Sequence, residues 1–357
     1  MKLQRTTLDA IDEALSKPET PRGHLGMSEI GEPDERRLWL KFRWCLPDNV
    51  APRIKRIFRM GNLVERLIVK ECLIDAGVEL HTGDDDQQYR VEALGGHFGG
   101  SMDGVACNVP EAPATAHVWE CKSAKASEFR KLVKGGSVEK WNVKYYHQAQ
   151  NYMAHNDLKR CLFTVYNKDT SELYVERIAI DKKVAAADMA KARRVITDRE
   201  PMPSTYPNRN WYEAKFGALS DEFNRRVYWG EATPKPNCRN CRHATPLIDK
   251  QGGLWNCDKK GHLLPLAQQL TGCSEHNFLP CLVPAKVVEI GAEYVEYRTA
   301  DGAQIWNIPA TAGDKFAGAF GSTELHELSK IGLTKTTLAE PVMYAREVFS
   351  GVVVGVE

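Results

Sequence analysis

Along the first third of the chain, Ile57, Met60, Val64, Leu67, Ile68 and Leu73 recur at helical spacing, and Gly77 follows as a natural C-terminal cap. The spacing predicts a helix over 57–76. The pattern then tightens: residues 89–93, 97–107 and 117–123 read as strands, with a proline-containing loop at 108–114 between the last two. Helical spacing returns over 138–156. Two further strands are expected at 162–167 and 173–180, joined by the turn Asn167-Lys168-Asp169-Thr170, and a last helix at 184–199. This order predicts an α/β fold, a mixed sheet with helices packed on it.

Residues 200–235 are rich in Pro, Asn and aromatics and read as a packed connector, and a cysteine-bearing stretch follows over 238–281. Residues 286–309 alternate like a hairpin around Ala300-Asp301-Gly302, and the last fifty residues carry no pattern. Domain edges are expected near Pro236 and Pro284. They give a main domain at 1–235, a Cys-rich module at 236–284, and a segment at 285–357 expected to form a β-hairpin plus a helix.

A chain of 357 residues exceeds one ordinary core. With 43% hydrophobic residues and a formal charge of +1, the bulk composition describes a soluble globular protein and does not advertise nucleic acid, so a DNA-binding surface would have to be local. Residues 1–20 carry charges throughout and no apolar run, which argues against a secretion signal, and no later stretch is long and apolar enough to span a bilayer. A cytoplasmic protein is expected. In that compartment the ten cysteines are expected to be thiols or metal ligands rather than disulfides.

Three strings carry chemistry: Met102-Asp103-Gly104, Trp119-Glu120-Cys121-Lys122 and Gln148-Ala149-Gln150-Asn151-Tyr152. In a strand, side chains two apart share a face, so Glu120 and Lys122 project together. Their apolar neighbours Val118, Trp119 and Cys121 leave little solvent on either side, and a buried Glu and Lys need a reason. Asp103 and Glu120 offer two carboxylates, ionised at neutral pH, and the Cys121 carbonyl a third oxygen, a set suited to Mg²⁺ or Mn²⁺. Lys122 would hold the attacking water and stabilise charge on a phosphate, with its use as a base left open. The glycines around Asp103 are expected to let a metal and a phosphate approach the backbone. Glu65 is read as an additional metal ligand. Gln148 and Tyr152, four apart, share a helix face and can point into the same cleft.

These residues resemble the PD-(D/E)XK nuclease superfamily, in its RecB-like and λ-exonuclease-like branch, over about 28–199. Ser28-Glu29-Ile30-Gly31 matches the opening Ser-x-x-Gly, and Gly61-Asn62-Leu63-Val64-Glu65 the Gly-x-x-x-Glu helix. Asp103, Glu120-x-Lys122 and Gln148-x-x-x-Tyr152 then follow in the family's order. The resemblance implies a restriction-endonuclease-like mixed sheet flanked by helices, and a Mg²⁺-dependent DNA exonuclease of recombination or replication. It also implies a ring-shaped homo-oligomer or a single-strand annealing protein as partner. A structure-selective or restriction-type endonuclease remains open, as does a DNA-binding scaffold with an inactive nuclease fold.

Between the second and third strings lie Lys125, Arg130, Lys131, Lys134, Lys140 and Lys144 against Glu128 and Glu139, a local basic excess expected to contact the DNA backbone. A second basic cluster, Arg53, Lys55, Arg56 and Arg59, leads into the Glu65 helix. Cys238-x-x-Cys241 followed by Cys257 and Cys273 suits tetrahedral Zn²⁺, in a stretch that also holds His243, His262 and His276. The alternative is a 4Fe–4S cluster. Members of the branch that carry one take a cysteine from before the core, and the matching position here reads Glu32-Pro33-Asp34, which favours zinc.

Overall fold

The computed structural model describes residues 5–47, 50–83, 88–311 and 318–339. The parts of the expected 285–357 segment at 312–317 and after Ala339 lie outside the described residues. The chain divides into two compact units, Met1–Glu32 with Asp48–Arg193, and Pro33–Pro47 with Arg194–Glu357.

The first unit is a mixed α/β body built on two sheets. Strands β1 (Leu25–Gly26), β4 (Phe98–Met102) and β3 (Tyr89–Ala93) form one sheet in that order. The other runs β2 (Glu79–His81), β5 (Gly104–Cys107), β6 (His117–Ala124), β7 (Arg160–Asn167) and β8 (Leu173–Ala179). The pairing β6·β7 is parallel and the rest are antiparallel. The run expected as one strand over 97–107 is two strands in two sheets, and Asp103 is the joint between them. Its residues are apolar or small on both sides of the joint, so periodicity could not show the break.

The helix expected over 57–76 is present from Pro52 to Asp75 and is capped by Gly77 at φ +82°. Its middle, Val64–Val69, winds as a π-helix. Only Val64 and Val69 of the helix are buried, and they pack with Trp119 and Cys121 of β6, Val78, Ala106, Val109 and Leu162. The helix expected over 138–156 is interrupted at Asn142, whose backbone is extended (φ −150°, ψ 96°). Its side chain caps Val143–His155 by accepting from the N–H groups of Lys144 and Tyr145. The central strands β6 and β7 are buried along most of their length, as a strand covered on both faces must be.

The second unit holds a three-stranded antiparallel sheet, β9 (Ala244–Pro246), β10 (Trp255–Cys257) and β11 (His262–Leu264). It also holds a four-stranded one, β12 (Lys286–Ile290), β13 (Val295–Arg298), β14 (Gln304–Asn307) and β15 (Ala319–Phe320). The hairpin expected around Ala300-Asp301-Gly302 joins β13 to β14, with Gly302 at φ +84°. The small sheet is anchored by Arg239, buried beneath the rings of Trp44, Trp255 and Phe42 and donating to Gln269 Oε1 at 2.8 Å. Among the described residues no helix is long and apolar enough to cross a membrane.

Candidate active site

Register brings the site together. Gly104 of β5 lies opposite Trp119 of β6, so Asp103 falls beside the Glu-x-Lys string. The Cys121 N–H donates to Asp103 Oδ2 at 2.8 Å. One strand of alternating side chains thus serves two ends: Trp119 and Cys121 enter the core described above, and Glu120 and Lys122 take the other face. Lys122 Nζ donates to Glu120 Oε1 and, at 3.1 Å, to the Cys121 carbonyl, and it stands 5.5 Å from the Tyr145 ring centre.

Glu65 joins from the π-helical turn. A π turn displaces side chains from the α spacing, and such turns gather at functional sites. The side-chain amide of Gln88 donates to Asp103 Oδ1 at 3.0 Å and to Glu65 Oε1 at 3.4 Å, spanning the two carboxylates. Glu65 and Asp103 sit on the wall of a cavity of about 710 Å³, together with Arg66, Lys70, Gln88 and Ser101. Glu120 is wholly buried, and its Oε2 has no hydrogen-bond partner.

Burial, then the charge of Asp103, pushes the Glu120 carboxyl up to about 8, with Lys122 pulling back. Burial and Asp103 likewise push Glu65 up to about 7. Asp103 is itself raised by burial, against the pull of Lys122 and the Cys121 N–H. Burial opposes the charge on Lys122, but Glu120 and Asp103 outweigh it and hold the ammonium well above its ordinary value. Burial thus works against the ionisation expected of Asp103 and Glu120, and a bound cation would work for it.

Lys122 is the ammonium that touches Glu120, and a divalent cation would offset the remaining acid of Asp103 and Glu65. Asp103, Glu120 and Glu65 supply hard oxygens, and the unpartnered Glu120 Oε2 is an orphan acceptor that a cation would satisfy. The residues fit such an ion. Among the described residues no three His, Cys, Asp or Glu side chains have already closed to a coordination set. Gln88 and Lys122 occupy the carboxylate oxygens that such a set would use.

The remaining expected residues are placed as follows. Gln148 Nε2 donates to the Tyr152 hydroxyl at 3.1 Å, and that hydroxyl donates to the Ser101 carbonyl at 2.8 Å. The pair is buried and fastens β4 two residues before Asp103. A Cβ on Gly100 would lie 2.6 Å from the Tyr152 hydroxyl, one on Gly99 2.9 Å from the Val91 carbonyl, and one on Gly104 2.8 Å from the His81 carbonyl. The glycines around Asp103 therefore admit protein atoms, and the expected approach of metal and phosphate is corrected to packing. Gly31 of the Ser-x-x-Gly string has the same use: its Cβ would meet the Lys144 Cα at 2.7 Å, in the first turn of the Val143–His155 helix.

Of the six cations at 125–144, Lys125, Arg130, Lys131, Lys134 and Lys140 are exposed, with Lys131 paired to Glu128 at 2.8 Å. Lys144 is half-buried and paired to Glu32 at 2.5 Å, a partner 112 residues away that local charge counting does not reveal. In the second cluster Lys55 pairs with Glu19 and Arg56 with Asp12. Sequence reasoning missed Gln88, Arg66 and Lys70. The last two are four apart on the Glu65 helix, a signal that was available.

In the second unit Cys238, Cys241, Cys257 and Cys273 all line one cavity of about 20 Å³, and none of them is in a disulfide. His243 and His276 line it too.

No protein-family model matches the chain, and no curated protein matches it. Solved structures similar to it include the alkaline exonuclease LHK-Exo of Laribacter hongkongensis, at 15% identity and a TM-score of 0.34 over 52% of this chain and 90% of that one. The same exonuclease in complex with dAMP gives 16% identity and a TM-score of 0.36 over 52% and 90%. A phage-related exonuclease of Haemophilus somnus gives 15% and 0.27 over 39% of this chain and 68% of that one.

Proposed function

We propose that the chain is a divalent-metal-dependent deoxyribonuclease of the PD-(D/E)XK kind, an exonuclease acting on linear DNA. One observation carries the reading: Asp103, Glu120, Glu65 and Lys122 come from three separate elements to one place, with a wholly buried carboxylate oxygen left unpartnered. A fold does not keep such a cluster for stability, since each buried acid costs free energy.

Asp103, Glu120, Glu65 and the Cys121 carbonyl are the groups that would hold Mg²⁺ or Mn²⁺, which when bound supplies a Lewis acid and an activated water. Lys122, kept protonated by its two acidic neighbours, brings a fixed positive charge to where a phosphate gains negative charge. Arg66 and Lys70 on the wall of the 710 Å³ cavity offer two more cations to a phosphodiester backbone, and the volume suits a nucleotide-sized group. Gln148 and Tyr152 act at one remove, holding the Ser101 backbone and so the position of Asp103.

The test uses end-labelled linear duplex and covalently closed circular DNA, each with Mg²⁺ and with EDTA. Release of label from the linear substrate with Mg²⁺ only is the expected result. Cutting of the closed circle would convert the reading to an endonuclease, and inertness on both would remove the enzyme.

A further inference from the structure

The cavity ringed by thiols has room for about one small atom, since a single water needs on the order of 10–15 Å³ measured in the same way. It is too small for a substrate and the right size for an ion. Two chain turns make its walls. Cys238-Arg239-Asn240-Cys241 closes with the Cys241 N–H on the Cys238 carbonyl at 3.2 Å, and Cys273-Ser274-Glu275-His276 closes the same way at 3.0 Å. The turns lie side by side: the Arg242 N–H donates to the Asn277 carbonyl at 2.8 Å and the Leu279 N–H to the Asn240 carbonyl at 2.9 Å. Gly272, at φ +67°, opens the second turn beside Asn237, where a Cβ would lie 3.6 Å from the Asn237 Cα.

His276 distinguishes this cavity from a packing defect. The ring is 4% exposed, and its Nε2 lies 3.0 Å from the Asn237 carbonyl and 2.9 Å from Asn240 Oδ1. Both partners only accept, so Nε2 carries the hydrogen and Nδ1 presents a lone pair. That Nδ1 is buried and has no hydrogen-bond partner, and the residue lines the cavity. One nitrogen fixed by donation to a carbonyl and the other left bare is how a metal-ligating histidine is held.

We propose that this module holds one Zn²⁺ ion, and that its ligands are the thiolates of Cys238, Cys241 and Cys273 and Nδ1 of His276. The two i,i+3 turns then contribute two donors each, in the tetrahedral three-sulfur, one-nitrogen set that zinc favours. Cys257, at the end of β10 and on the same wall, stays outside the set.

The experiment uses the full chain. Metal analysis of the purified protein is expected to find one zinc per chain, retained in Cys257→Ser and reduced at least tenfold in Cys273→Ser and His276→Gln. The second measurement uses the wild-type chain, with Co²⁺ exchanged for the bound Zn²⁺ so that the module stays loaded. A Co²⁺ spectrum of three-sulfur, one-nitrogen ligation is expected. A spectrum of four-sulfur ligation, with zinc lost in Cys257→Ser and kept in His276→Gln, would overturn the assignment in favour of four thiolates. Iron with acid-labile sulfide in place of zinc would overturn the proposal altogether.

Discussion

The two polar clusters of this chain are built in opposite ways. The carboxylate cluster sits on β6, in a five-stranded sheet whose position is fixed by the apolar residues on its other face, Trp119 and Cys121 packed against Val64 and Val69. The thiol cluster sits on turns and three-residue strands, elements too short to fix a backbone by their own pairing. In the first the fold holds the charges at a cost. In the second the donors converge on short elements, and a bound ion would add stability to them. The difference predicts that chemistry can be removed from the first without unfolding it, while the reverse holds for the second.

The largest expected effect separates activity from stability at the first cluster. Lys122→Ala is expected to slow DNA hydrolysis by at least ~10²-fold, on the scale of losing a positioned charge stabiliser, with a melting temperature within a few degrees of wild type. Steady-state hydrolysis and a thermal melt on one preparation check it. A variant that melts early would collapse the contrast between the clusters.

The pH dependence of the metal-free chain comes next. The folded Glu120 carboxyl is pushed up to about 8 from an ordinary 4.5, so the folded state holds this proton more tightly than the unfolded state does. Its contribution to stability is therefore full below about 4.5 and is lost as pH rises toward about 8. The melting temperature of wild type relative to Glu120→Gln should fall across that window, and Mg²⁺ should restore it. A flat difference would mean that the acid is not under strain.

Smaller effects test the supports of Asp103. Tyr152→Phe removes the hydroxyl from the Ser101 carbonyl and should cost about 1 kcal/mol by denaturant titration. Gly100→Ala places a methyl against that hydroxyl and should cost ~1–3 kcal/mol, and less in the Tyr152→Phe background. Additive costs in the double variant would separate the two residues. Smallest of all, Lys125→Ala should lower the slope of log binding constant against log salt by about 0.7–0.9 if it meets a DNA phosphate. An unchanged slope would remove that contact.

What the sequence made legible follows from the range of each signal. Glu120 and Lys122 are readable because a period of two and apolar neighbours already imply a buried polar face, and Gly77 because a C-cap is local. The π-helical turn at Val64–Val69 is not readable, since one wide turn leaves the apolar spacing nearly unchanged. Asn142 was readable as a cap but was absorbed into a longer helical pattern. Gln88 and the Lys144–Glu32 pair depend on contacts made only in three dimensions. His276 was visible as a histidine, but the lone pair on its Nδ1 is a property of its hydrogen bonds.

The most direct test of the central claim is release of nucleotide from end-labelled linear duplex DNA with Mg²⁺, by wild type and by Asp103→Asn matched for melting temperature. The account predicts steady release by the wild type and none above background from the variant. Equal release from both would show that the DNA is cut elsewhere, and that Asp103 and its neighbours are not the active site.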